Sequence, residues 1–103
     1  MSPEAAQKIL KLLGLGARGR LVVVGAEQVR AAAKKGKLSL AVVASDASEN
    51  SRDKVLSVLK AKNISAIEGI SAADLGAAFG RDSTAAVGVL DSALAAGIRQ
   101  AAG

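Results

Sequence analysis

The run Leu38 to Ala44, LSLAVVA, is the most apolar stretch of the chain and the feature that most constrains its fold. It is short, β-branched near its centre and does not alternate polar with apolar residues. That pattern reads as a central strand buried on both faces. Such a strand needs a packed layer on each side, so the flanking segments are read for helices.

They supply them. Ser2-Pro3-Glu4 is a helix start, with an N-cap hydroxyl, Pro at the first helical position and an acid in the first turn. Ala6, Ile9, Leu10, Leu12 and Leu13 then recur at helical spacing, and Gly14 and Gly16 are expected to end the element. Leu21 to Val24 is a short strand stopped by Gly25, and the alanine-rich segment Ala26 to Lys35 is a helix closed by Gly36. After LSLAVVA, Ser45 to Ser48 is a turn. Ser48 or Ser51 caps a helix carrying Val55, Leu56, Val58 and Leu59, which Asn63 ends. Ile64 to Ile67 reads as a strand, and Ser71-Ala72-Ala73-Asp74 has capping-box spacing for a helix through Phe79. Val87 to Leu90 makes the last strand, and Asp91 or Ser92 opens a final helix to about Ala102. The order α-β-α-β-α-β-α-β-α, with connections of about two to six residues, predicts a three-layer α-β-α sandwich around a four-stranded mixed sheet. No linker, repeat or biased tail divides it, so residues 1–103 are read as one domain.

Composition narrows the chemistry. There is no Cys, His, Trp or Tyr, and one Phe. A disulfide framework, a zinc finger and a cysteine or Ser-His nucleophile are therefore excluded. A metal would have to rest on scattered carboxylates, which suits Mg2+ or Ca2+ at best, and none is expected. No segment has the ~18–20 uncharged apolar residues of a membrane span. The N-terminus lacks a basic region followed by an apolar one, so no signal peptide is read and the cytoplasm is the expected compartment. No cofactor is implied, and a monomer is expected.

The charge is unevenly spread. The net charge is +5, yet residues 1–60 hold eleven Lys or Arg against five acids, and residues 61–103 hold three against four. Arg18, Arg20, Arg30, Lys34, Lys35 and Lys37 carry most of that excess. A one-sided basic surface suits phosphate, and hence nucleic acid.

Three local features remain. Gly14-Leu15-Gly16-Ala17-Arg18-Gly19 matches G-x-G-x-x-G, but a helix precedes it and a strand follows, the reverse of a dinucleotide site. It is read instead as a flexible glycine connection whose arginines reach phosphate. Asp46, just past the buried strand, lies where open α/β sheets place ligands, although a turn Asp bonding its own backbone explains it equally. Gly25-Ala26-Glu27-Gln28-Val29-Arg30 is the most informative stretch. A glycine between strand and helix lets backbone approach a ligand, and the first helical amides are free to meet an anion or a base edge. Glu27, Arg30, Ala31 and Lys34 share the face opposite Val29, Ala32 and Ala33.

The chain resembles the kink-turn RNA-binding family of ribosomal proteins, the archaeal L-seven-Ae type, and within it the small bacterial YlxQ-like members. The resemblance is carried by Leu12-Leu13-Gly14-Leu15-Gly16-Ala17, Arg20-Leu21-Val22, the Gly25 helix, the segment Lys37 to Ser48, and Leu75-Gly76-Ala77-Ala78-Phe79-Gly80. It covers roughly residues 10–100 and implies an α-β-α fold that binds sharply bent RNA without catalysis. It also implies that Gly25, Glu27 and Gln28 occupy the family's Gly-x-Asn-Glu-type segment, which contacts sheared G·A pairs. Gln28 retains a donor and an acceptor for a guanine edge. Glu27 stands where the family has Asn, and Ala31 where it has a helix lysine, with Arg30 and Lys34 on either side. In the loop before the last strand, Ala85 and Ala86 are expected against an extruded nucleotide and Thr84 near a backbone oxygen. Arg18, Arg20 and Lys37 would add attraction for phosphate. The near absence of aromatic rings agrees with recognition by shape and polar contact rather than by stacking. The partner so implied is structured RNA, for instance ribosomal RNA. The substitutions at Glu27 and Ala31 equally fit a protein-interaction module that keeps the fold and has lost RNA binding.

Overall fold

In the computed structural model, which describes residues 1–103, the chain forms α1 (Pro3–Arg18), β1 (Val22–Val24), α2 (Ala26–Lys34), β2 (Leu40–Val43), α3 (Glu49–Ala61), β3 (Ala66–Ile67), α4 (Ala72–Ala77), β4 (Ala86–Val89) and α5 (Ser92–Ala102). The strands form one mixed sheet in the order β1-β4-β2-β3, with β4 antiparallel to both neighbours and β3 parallel to β2.

Alternation along β2 explains the layers. Leu40, Val42 and Ala44 pack with Ile9 and Leu13 of α1, Leu75 of α4, and Ala95 and Ile98 of α5. Ala41 and Val43 pack on the other side with Val29 and Ala33 of α2 and Val55 and Leu59 of α3. β4 divides in the same way, sending Val87 and Val89 to the first core and Ala86 to the second. The result is a single α-β-α sandwich domain with a four-stranded mixed sheet. Its core is aliphatic, and Phe79 is only half-buried at its margin. No helix is long and apolar enough to cross a membrane.

Several ends differ from the sequence expectation. Leu38 and Ala44 are buried but lie just outside β2, although the Ala44 N–H still donates to Ala85 O (2.8 Å). Ile64 falls outside β3: its N–H donates to Leu59 O (2.9 Å) after the left-handed Asn63 (φ 55°), so it finishes α3. Ser48 caps α3 and Asp91 caps α5, each side chain accepting a backbone N–H of the first turn.

The largest correction concerns the glycine-rich stretch. Gly14 and Gly16 do not end α1, which runs on to Arg18 with Gly19 as its C-cap. A Cβ on Gly16 would lie 2.5 Å from Leu94 Cδ2 and 3.1 Å from Val22 Cγ1. Gly16 is therefore an approach point of α1 onto α5 and β1, not a flexible joint. Gly76 in α4 makes the tighter contact, since its Cβ would lie 2.5 Å from Ser83 Cα and 2.7 Å from Ser83 N. That contact is with backbone, so the chain leading into β4 crosses α4 only because residue 76 has no side chain.

Gly76→Ala should therefore cost about 1–3 kcal/mol, the range for forced overpacking. Gly14→Ala should gain up to ~1 kcal/mol of helix propensity, because its Cβ would meet only Ala78 O at 3.8 Å. Urea denaturation of the two variants checks both signs.

Candidate nucleic-acid interface

β1 ends at Gly25, whose φ of 104° and ψ of 148° few residues with a Cβ adopt. Its N–H donates to Ala86 O (2.8 Å), which extends the β1–β4 ladder by one step. The chain then turns into α2, where Gly25 is an N-cap without a side-chain acceptor. The amides of Ala26, Glu27 and Gln28 thus lack the intrahelical partners that later amides have, and no side chain replaces them.

The same ladder brings in the loop before β4. Arg81 Nη1 lies 3.9 Å from the position a Gly25 Cβ would occupy. Arg81 carries no special pattern in the sequence. Only the pairing of β1 with β4 reveals it, and its sole local signal is being the one cation in that loop.

Two loop residues are placed differently from the expectation. Thr84 is only 6% exposed, its Oγ1 donates to Ala86 O (3.3 Å), and its N–H donates to Ala72 O (3.0 Å). Ala86 is fully buried, with its side chain in the α2–α3 core. Neither presents a surface to a nucleotide, because both are committed to anchoring the loop on α4 and on the sheet. Ala85 remains partly exposed, and Arg81, Asp82 and Ser83 are exposed.

On α2 the buried stripe is Val29, Ala32 and Ala33, while Glu27, Gln28, Ala31, Lys34 and Lys35 are exposed. At about 100° per residue, Gln28 and Arg30 project to opposite flanks with Glu27 outermost between them. Gln28 shares a shallow depression of about 230 Å³ with Ala31, Lys35, Lys37 and Val23 of β1. Arg30 lies half-buried on the other flank, with its Nε shielded and without a hydrogen-bond partner. Lys37 is thus brought to Gln28. Arg18 and Arg20 are not among the residues around that depression. Arg18 instead lines a separate hollow with Lys11, Gly14, Leu15 and Ala78.

Ionic partners are almost absent. The one ion pair joins Arg52 to Glu68, so Arg30, Lys34, Lys35, Lys37 and Arg81 carry no bridging acid. The Asp46 carboxylate accepts the N–H of Ala72 (2.7 Å), tying the turn after β2 to the start of α4. No group of three or more potential metal-ligating side chains gathers anywhere.

Residues 7–96 match the model of the Ribosomal protein L7Ae/L30e/S12e/Gadd45 family. Among solved structures, a protein of unknown function from Bacillus halodurans is similar with a TM-score of 0.85 and 30% identity, over 92% of this chain and 96% of that one. A Giardia lamblia 15.5kD RNA binding protein shares the fold with a TM-score of 0.79 and 21% identity, over 99% of this chain and 88% of that one. No curated protein matches.

The strain at residue 25 lies in the backbone rather than in crowding. Gly25→Ala should cost about 1–3 kcal/mol, and thermal or urea unfolding should find the same cost in an Arg81→Ala background, because the 3.9 Å approach is an ordinary contact.

Proposed function

The chain belongs to the Ribosomal protein L7Ae/L30e/S12e/Gadd45 family, and from that premise we propose that it binds structured RNA of the kink-turn kind, as in ribosomal RNA, without catalysing a reaction. The observation that carries this reading is the meeting of the α2 N-terminus with the Arg81–Ala85 loop. Free amides after Gly25, the Gln28 amide side chain and Arg81 gather at one end of the sheet, and Arg30, Lys34, Lys35 and Lys37 continue the cationic surface along α2 toward the other end.

Each group has a task that its chemistry allows. Gln28 offers a donor and an acceptor to a guanine edge. Glu27, facing outward, accepts from a base amine rather than meeting phosphate. Arg30 and Lys34 on one flank, and Lys35 and Lys37 on the other, bind the backbone of the bent strand. Ala31 offers no charge where the family carries a lysine, and the Arg81 guanidinium supplies one from the neighbouring loop. Ala85 is the loop residue left to pack on a splayed nucleotide. Arg18 and Arg20, at the far end of β1, add only long-range attraction. The binder works as a monomer in the cytoplasm, beside its RNA.

Titrating a kink-turn RNA and a matched straight duplex at several salt concentrations tests the reading. The kink-turn should bind at least about tenfold tighter, a difference of about 1.4 kcal/mol. With five phosphates neutralised, log K should fall against log salt with a slope of about −4 to −5. Gln28→Ala should abolish the preference for the kink, whereas Lys34→Ala should lower the slope by about one unit and leave the preference intact. Equal, weak binding to both RNAs would leave general electrostatics alone. Weak binding without a salt slope would favour the protein-interaction module, for which Glu27 and Ala31 speak.

A further inference from the structure

The outward face of α1 is a second cationic surface, on the layer opposite α2. Lys8, Lys11, Leu15 and Arg18 follow at spacings of three, four and three residues, so they form one stripe along the helix. All four are exposed, and the only ion pair in the protein lies elsewhere. Leu15 is 51% exposed and Leu21 is 36% exposed, making two of the three large apolar side chains left in solvent. They bracket the turn Arg18-Gly19-Arg20, and Leu21 Cγ approaches within 3.4 Å of where a Gly19 Cβ would stand.

Hollows open on both flanks of this stripe. One of about 440 Å³ lies between Lys8, Lys11 and Leu12 of α1 and Gly97, Gln100 and Ala101 of α5. The other, of about 390 Å³, is lined by Lys11, Gly14, Leu15, Arg18 and Ala78. Gly14 is the informative residue here. A glycine inside a helix costs up to ~1 kcal/mol against alanine, and unlike Gly16 it is not required by a close contact, since its Cβ would meet only Ala78 O at 3.8 Å. What its missing side chain does provide is room beside Leu15.

We propose that this α1–β1 shoulder is a docking surface for an acidic protein segment that seats apolar side chains against Leu15 and Leu21, with its carboxylates on Lys11, Arg18 and Arg20. Apolar anchors within a charged rim are the arrangement of a protein contact. A phosphate backbone gains nothing from two leucines. A second copy of this chain, joined through the same face, would set the lysines and arginines of the two stripes against each other. The shoulder is distinct from the Gly25 end of the RNA surface, because Arg20 and Gly25 stand at opposite ends of β1 and α1 and α2 cover opposite faces of the sheet. The chain thereby becomes an adaptor, holding RNA at one end and a protein at the other.

The test uses the full chain with isotope-labelled amides and a synthetic helical peptide bearing leucines one turn apart flanked by glutamates. The peptide should shift the amides of Lys11, Leu15, Arg18 and Leu21 in a saturable way and leave Gly25 and Gln28 unmoved. Replacing its leucines by serine, or Leu15→Ala in the protein, should weaken binding about tenfold. Leu15 is exposed, so that variant stays folded. Gly14→Ala should also weaken binding while raising the unfolding midpoint, a combination that a merely structural role would not produce. Equal binding by the leucine-free acidic peptide, or no shift with any peptide, overturns the proposal. So does a short RNA duplex that shifts the same amides and displaces the peptide, which would make the shoulder a second RNA face.

Discussion

The antiparallel pairing of β1 with β4 brings the start of α2 and the Arg81–Ala85 loop together. Val22 faces Val89 and Val24 faces Val87, and the ladder ends with the Gly25 N–H on Ala86 O. Segments far apart in sequence, the turn into α2 and the loop before β4, thus become one surface. The register is held by more than these bonds. Gly88 sits where a Cβ would come within 2.7 Å of Leu38 Cδ2 and 3.0 Å of Val23 Cγ2. A slip of one residue would put a valine at that pinch and turn Ala86 out of its core. The Gly76–Ser83 crossing acts toward the same end, fixing the path by which the loop reaches β4. Both constraints are glycines, and both keep the backbone at one place rather than freeing it.

That double use of glycine explains which parts of the molecule were legible in the sequence. The alternation of elements was, because a seven-residue apolar run and helical repeats of leucine and valine have different periods and the buried layers follow from them. Helix starts were equally legible at Ser2, Ser71 and Asp91, where the capping side chain is local. The end of α1 was not. Gly14 and Gly16 carry the same letter whether a helix stops or another helix comes close, and Leu94, which decides it for Gly16, lies in a segment far down the chain. The burial of Thr84 and Ala86 is hidden from the sequence for a related reason. Side chains alternate between cores in a strand, so the face taken by Ala86 depends on a register that short strands do not declare. Arg81 carries no mark in the sequence because its place is a neighbour relation across β1 and β4, while Gly25 and Gln28 stand out through the strand–glycine–helix order itself.

The charge separates in the same way. Eleven cations in the first sixty residues look like one patch in the sequence. In the fold, α1 with Arg18 and α2 with Arg30 and Lys34 cover opposite faces of the sheet. Cations divided over two faces do not form one contact surface. Arg81 stands beside the free amides of the α2 start, where an anion or a polar base edge is a good neighbour. Lys11, Arg18 and Arg20 surround half-exposed leucines, where phosphate is a poor one.

The aliphatic composition then limits how either surface can recognise anything. With one aromatic ring, and that ring at the margin of the core, no stacking platform is available. On the proposed reading, selectivity at the Gly25 end comes from placement: amides held at a fixed angle, an amide side chain on the first turn, and a loop anchored through Thr84 and the missing side chain of residue 76. Such groups discriminate only if they do not move, because a hydrogen bond displaced by an ångström loses much of its directionality. On the proposed RNA reading, the Gly25 backbone and the bare contact at Gly76 are therefore part of recognition itself. They hold rigid a set of donors too few and too small to be selective if they were mobile.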